Sequence, residues 1–224
     1  MPNPDRTQPQ YSLNRYTGSR NLADLVLTAT YSREMYRSAV HNQRVLDLVL
    51  GCMLLAELVE AGRAEVTADA VIHPALAGHA RGRDPATDGI LHEMRQEQRS
   101  HPADEWVNYL ALRHRATTLV WQRLVSAGAA EAERSRYRRR STFVLTGAHP
   151  TDWARQFLLA VSGAALLPAS AVILWHALEE LLLTDDIRLP APLAHRLDTA
   201  TVPHDANRLL SALDRALTRL TTQR

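Results

Sequence analysis

The chain contains no lysine, and all 26 of its basic residues are arginine. Alanine and arginine enrichment without lysine has the look of a high-GC coding bias, as in actinobacteria, so arginine abundance alone does not indicate a ligand. Cysteine is nearly absent too. The lone Cys52 excludes a disulfide framework and fits a reducing cytoplasm. It sits inside an apolar segment and reads as a small core hydrophobe. Catalytic signatures are missing as well: there is no glycine-rich phosphate loop, no G-x-S-x-G elbow, and no cysteine with a plausible base. His92-Glu93 opens an H-E-x-x-Q run, but Gln96 stands where a zinc protease needs its second histidine. His176 and Glu179 lie one helical turn apart without the matching second pair of a di-metal bundle. No enzyme, metal or cofactor is expected.

Long uninterrupted hydrophobic spans are also lacking. The opening MPNPDRTQPQYSLNRYTGSR is polar and proline-containing, with no apolar core for a signal peptide, and residues 1–18 read as a flexible arm. Phe157 to Trp175 carries no charge over a length near the minimum for a membrane span. Gly163 and Pro168 interrupt it, and Ser162 and Ser170 add polarity. Two buried helices joined by a turn near Gly163–Pro168 account for it better. With 46% hydrophobic residues, no repeat, no long heptad run and no linker, residues 19–224 read as one domain.

What is present is helical periodicity. Leu46, Val49, Leu50, Met53, Leu54 and Leu58 recur at three- and four-residue spacing, predicting a core helix over Val45–Ala61. Gly62 should end it in the left-handed conformation, with Arg63 near its carbonyl end. Asn21–Thr30 reads as a short helix capped by Asn21, with Leu22, Leu25 and Val26 on one side. Ala64–Thr67 and Ala70–His73 suggest a hairpin, and Pro74 to Pro85 a loop. Thr87 or Asp88 is expected to cap a helix to about Gln98. Another follows Pro102, with Trp106, Tyr109 and Leu110 inward, and leads into one from about Arg113 to Ala127, stopped at Gly128. Ala130–Leu145 reads as a second hairpin. Helices are expected at Thr151–Val161, Pro168–Leu183, Pro192–Thr199 and Asp205–Thr222. The fold class is mainly α.

The net charge is only +2, yet the basic residues are unevenly spread. Arg134, Arg136, Arg138, Arg139 and Arg140 fall within seven residues around Tyr137. On an extended hairpin, alternate side chains share a face, so Arg134, Arg136, Arg138 and Arg140 would project together. Each cation near an anionic leaflet contributes on the order of 1 kcal/mol, screened by salt. Such an arm suits an anionic membrane surface. It also suits contact with a second subunit or partner; nucleic acid, with Tyr137 stacking, is not the expected ligand.

Three segments in order carry a resemblance. The first is Leu50–Arg63, with Cys52-Met53-Leu54, Ala56-Glu57-Leu58 and Gly62-Arg63. The second is Asp84-Pro85-Ala86-Thr87-Asp88-Gly89-Ile90-Leu91-His92-Glu93, followed by the Trp106 helix. The third is Leu124-Val125-Ser126-Ala127-Gly128, leading into the basic hairpin and Ala148-His149-Pro150. Together they resemble the Golgi phosphoprotein 3 family over roughly residues 20–222. The resemblance implies a single-domain helical bundle with one or two small β-hairpins. It also implies a peripheral membrane protein that recognises phosphatidylinositol 4-phosphate through an aromatic residue and arginines, with a hairpin that mediates self-association. Eukaryotic members serve as Golgi adaptors, a role that does not transfer to a bacterial-looking chain.

The family's ligand residues are not matched position by position. Aligned on Ala56-Glu57-Leu58, its tryptophan falls at Asn42 and an arginine at Gly51; a one-residue shift moves these to His41 and Leu50. Aligned on Leu124-Val125, its later arginine pair falls at His114 and Thr117. Arg44 and the knot Arg113, His114, Arg115 could rebuild an anion site, because arginine binds phosphate bidentately. The expectation is a non-catalytic, cytoplasmic, peripherally membrane-associated protein that binds anionic phospholipid. The alternative is a soluble module that oligomerises through the 130–145 hairpin.

Overall fold

The computed structural model describes residues 21–31, 43–75, 84–97, 100–134, 141–146 and 151–222. At its centre runs α2 (Gln43–Glu60), buried from Leu46 through Ala56 and again at Leu58. Its termination follows the sequence reading. Gly62 adopts φ 64°, its N–H donates to Val59 O at 2.9 Å, and the Arg63 N–H donates to Leu58 O at 2.8 Å. This paired closure satisfies the last carbonyls of the helix.

Around α2 pack α1 (Leu22–Thr30), α3 (Pro85–Gln96), α4 (Ala103–Ala111), α5 (Arg115–Ser126), α7 (Ala169–Glu180) and α10 (His204–Thr222). Outside them, α6 (Thr151–Ala160) packs on α1, α8 (Thr184–Ile187) on α6 and α7, and α9 (Ala191–Asp198) on α7. The α2–α4 approach is close because residue 51 is glycine. A Cβ there would lie 3.2 Å from both Val107 O and Leu110 Cβ. α10 buries Ala206, Leu209, Ala212, Leu213 and Ala216, one stripe at helical spacing. Cys52 is fully buried, as expected, and burial with Asp214 nearby pushes its thiol up to about 12. The architecture is mainly α, with two small antiparallel sheets.

Several local expectations are corrected. α1 is buried on every side from Leu22 to Thr30, with no exposed outer face. Asn21 occupies its cap position, but its side chain donates to Asp24 Oδ2 at 3.4 Å and does not cap the backbone. Asp84, not Thr87 or Asp88, caps α3, accepting from the N–H groups of Ala86 and Thr87, with Pro85 in the first turn. The first hairpin, β1 (Ala64–Val66) and β2 (Val71–Pro74), gains a third strand, β3 (His101–Pro102), too short to carry periodicity. Tyr109 is 41% exposed, whereas Trp106 and Leu110 point inward as predicted. The helix expected from Arg113 begins at Arg115, because Arg113 and His114 hold left-handed φ values of 53° and 58°.

The second sheet is the predicted hairpin, β4 (Ala130–Arg134) and β5 (Ser141–Leu145), paired from Ala130↔Leu145 to Arg134↔Ser141. It is tied to the core by aromatic contacts. Tyr31 meets Trp121 edge-on at 5.2 Å, Trp121 stacks on Phe143 at 5.2 Å, and the Tyr31 hydroxyl donates to Phe143 O. The charge-free run from Phe157 to Trp175 resolves into α6, a turn and α7, but only α7 is a buried helix as expected; α6 buries Ala154 and Leu158 and leaves its other described side chains exposed or half-buried. No helix among the described residues is long and apolar enough to cross a membrane.

Candidate functional site

The family-like motifs converge inside the protein. Arg123, on the buried face of α5, is 6% exposed and meets three carboxylates: Asp24 of α1 at 2.8 Å, Glu57 of α2 at 2.6 Å and Asp84 at 2.9 Å. Glu57 also accepts the Ala23 N–H at 2.8 Å, which fixes the start of α1. Burial pushes the Glu57 carboxyl up to about 7, more than Arg123 pulls it down. Asp84 moves the other way: Arg123 and the Thr87 hydroxyl outweigh its desolvation and hold its carboxyl below the usual range. The Arg123 guanidinium is held charged by its partners despite burial. Arg63, just past the α2 terminus, donates to Asp88 at 2.5 Å and to Thr87 at 3.2 Å. Glu57, Arg63, Asp84 and Asp88 are therefore joints between α1, α2, α3 and α5, not ligand contacts.

The basic knot is only partly available. His114 lies 2.6 Å from the carboxylate of Asp47, a residue that is 1% exposed. Thr117 donates to the other oxygen of Asp47 and accepts from Gln43. The two positions onto which the family's arginine pair falls thus converge on a buried acid, which repels phosphate. Arg115 is bonded to Glu93 and to the Tyr109 hydroxyl and lies over the Tyr109 ring. Leu50 and Gly51 are buried against the core, so neither register returns an arginine there. Asn42 and His41 lie outside the described residues. Arg44 and Arg113 are exposed, and neither has a carboxylate partner among the described residues.

Sequence reasoning missed the neighbours of Arg44. It lines a shallow groove of about 340 Å³ with Glu105, Asn108, Tyr109, Leu112, Arg219 and Leu220. Arg219 is ion-paired with Asp104 at 2.6 Å and Glu105 lies 2.9 Å from His101, so Arg44 is the cation of the groove with no ion pair among the described residues. Leu112 is 51% exposed beside it. Only the three-dimensional meeting of α2, α4 and α10 creates this juxtaposition, so no local signal announces it.

Of the arginine arm, Arg134 lies in β4, paired by register with Ser141. Arg136, Tyr137, Arg138, Arg139 and Arg140 lie outside the described residues, within the link from β4 to β5. A second groove, of about 410 Å³, holds His73, Ser100, His101, Glu97 and Trp106. His73 is 3.1 Å from the Ser100 hydroxyl, and His101 is 2.9 Å from Glu105. Among the described residues no cluster of three or more His, Cys, Asp or Glu could hold a metal.

The Golgi phosphoprotein 3 (GPP34) family model matches residues 22–179, well over half of the sequence, and the chain belongs to that family. No curated protein matches the chain.

Proposed function

We propose that this member of the Golgi phosphoprotein 3 family is a non-catalytic, cytoplasmic, peripheral membrane protein that binds anionic phospholipid. Arginine charge supplies the attraction. The observation that carries the reading is positional. In sequence, the arginine run begins at the last paired residue of β4 and continues through the residues that link it to β5. Arg44 and Arg113 add two exposed cations without carboxylate partners among the described residues, and Leu112 gives Arg44 an apolar neighbour. Each such cation near an anionic surface adds on the order of 1 kcal/mol, and the sum falls steeply with salt.

Phosphatidylinositol 4-phosphate is the headgroup that family membership suggests. With Asp47 at the centre of the corresponding positions, we expect density of negative charge to matter more than the inositol ring. Flotation with vesicles of phosphatidylcholine alone, with phosphatidylserine, and with phosphatidylinositol 4-phosphate at matched charge tests this. Recovery should be equal on the two anionic mixtures, low on the neutral one, and lost at high salt. Equal recovery on neutral and acidic vesicles at low salt removes the lipid reading.

A second reading is an oligomerising module. It is favoured by the β4–β5 ribbon, whose outer edges carry no further strand among the described residues, and by Val144 at 39% exposure. Replacing the five arm arginines by serine separates the two. Lost flotation at constant mass supports the membrane reading, whereas a smaller assembly with unchanged flotation supports the module.

A further inference from the structure

The charge-free run from Phe157 to Trp175 folds into α6 and α7, but its centre does not enter the core. Between the helices, Gly163, Ala165, Leu166 and Pro168 are exposed. Leu166 is 88% exposed, more than any other large apolar side chain among the described residues. A leucine so placed loses nothing on leaving water, and no charge in the loop opposes the transfer.

The base of the same turn is tied down by hydrogen bonds. Arg196, on α9, donates one N–H to Ser162 O at 2.6 Å and another to Ala164 O at 2.7 Å. The Ser162 hydroxyl donates to Leu159 O at 2.7 Å, and the Ala164 N–H donates to Val161 O at 3.0 Å. The carbonyls of Leu159, Val161, Ser162 and Ala164, at the base of the turn, are thereby occupied, which lowers the cost of bringing that base towards hydrocarbon. A protein interface would instead use such groups, at about one hydrogen bond per 100–200 Å². Arg196 itself has no carboxylate partner among the described residues, so a net positive charge lies directly beneath the apolar tip. A cation under a leucine matches the order of layers in an anionic leaflet, with phosphate outside and acyl chain within.

We propose that the Gly163–Pro168 turn is a membrane-inserting tip: Leu166 enters the acyl boundary of an anionic bilayer while Arg196 holds the turn and faces the lipid phosphates. This inference rests on the membrane reading above and adds to it a second, apolar point of attachment, remote in sequence from the arginine arm.

Single-site labelling tests it. Cys52 is fully buried, so a cysteine introduced by Leu166→Cys takes an environment-sensitive nitrobenzoxadiazole label selectively. Leu182→Cys, at the other end of α7 and 85% exposed in the native chain, serves as the reference position. On vesicles of phosphatidylcholine with phosphatidylserine, the label at 166 should shift to the blue and be quenched by doxyl lipids, while the label at 182 stays in water. Leu166→Ser should weaken vesicle binding by about tenfold, within the range expected for one buried leucine, with unchanged thermal unfolding. Flotation without a shift at 166, or equal shifts at 166 and 182, overturns the tip and leaves the membrane reading standing. Absence of flotation on any anionic vesicle overturns both.

Discussion

The two ends of α5 use the same kind of side chain in opposite ways. Near the C-terminal end, Arg123 is sunk among Asp24, Glu57 and Asp84 and bonds helices together. At the N-terminal end, Arg113, His114 and Arg115 stand at a strained turn, where Arg113 keeps an exposed charge with no carboxylate partner among the described residues while His114 and Arg115 are held by Asp47 and Glu93. Arginine content does not distinguish these ends. The placement of carboxylates does, because a guanidinium saturated by acids has no donors left for phosphate. Most of the family-like motif residues belong to the first kind, and they explain the fold more than the binding.

The comparison breaks most decisively at Arg123. Arg123→Met leaves three carboxylates facing one another, two of them nearly inaccessible, and is expected to cost about 3–5 kcal/mol of stability. Denaturant unfolding measures it; a cost under 1 kcal/mol would mean that the cluster is not the joint proposed here. Adding Glu57→Gln and Asp24→Asn to Arg123→Met should recover much of the loss, because the uncompensated buried charge disappears.

A smaller effect is pH-dependent. Glu57 has a folded value of about 7 against an ordinary 4.5, so the folded state binds its proton more tightly than the unfolded state does. Its contribution is complete below about 4.5 and is lost as pH rises towards about 7. Asp84 has the opposite sign: its depressed carboxyl stabilises the fold above the ordinary 3.8 and is lost as pH falls below it. Stability should therefore decline from mildly acidic to neutral pH, and Glu57→Gln should flatten that slope. An unchanged slope in the variant would assign the decline to another group.

The helical core was legible because its signals are local and repeated. The Leu46–Leu58 spacing, the Gly62 stop and the Pro168 start each act within a turn or two of themselves. β3 escaped notice because two residues, His101 and Pro102, cannot display alternation. The Asp84 cap was overlooked in favour of Thr87 and Asp88, although Pro85 behind it is the stronger marker. At the site, Arg44 and the knot are legible as cations, but Asp47 and Glu93 are not legible as the partners of His114 and Arg115. Asp47 reaches His114 across 67 positions of chain, and Arg123 reaches Asp24 across 99. Pairings of that range follow from helix packing, which periodicity alone does not specify.

The finest test separates charge from strain within the α4–α5 turn. Two consecutive non-glycine residues in the left-handed region cost about 1 kcal/mol or more each, and the surrounding contacts must hold them there. His114 has such a contact in Asp47, and the Thr118 hydroxyl donates to its carbonyl at 2.8 Å. Arg113 has no side-chain partner among the described residues. Arg113→Gly should therefore relieve strain at no contact cost and raise stability by about 0.5–1 kcal/mol, after the entropy of the added glycine is counted. His114→Gly relieves the same strain but strands the buried Asp47 carboxylate with Thr117 alone, so it should be neutral or destabilising. Equal gains in both variants would show that the Asp47–His114 contact does not hold the turn. That outcome would free His114 to be counted with Arg113 among the cations available to an anionic surface.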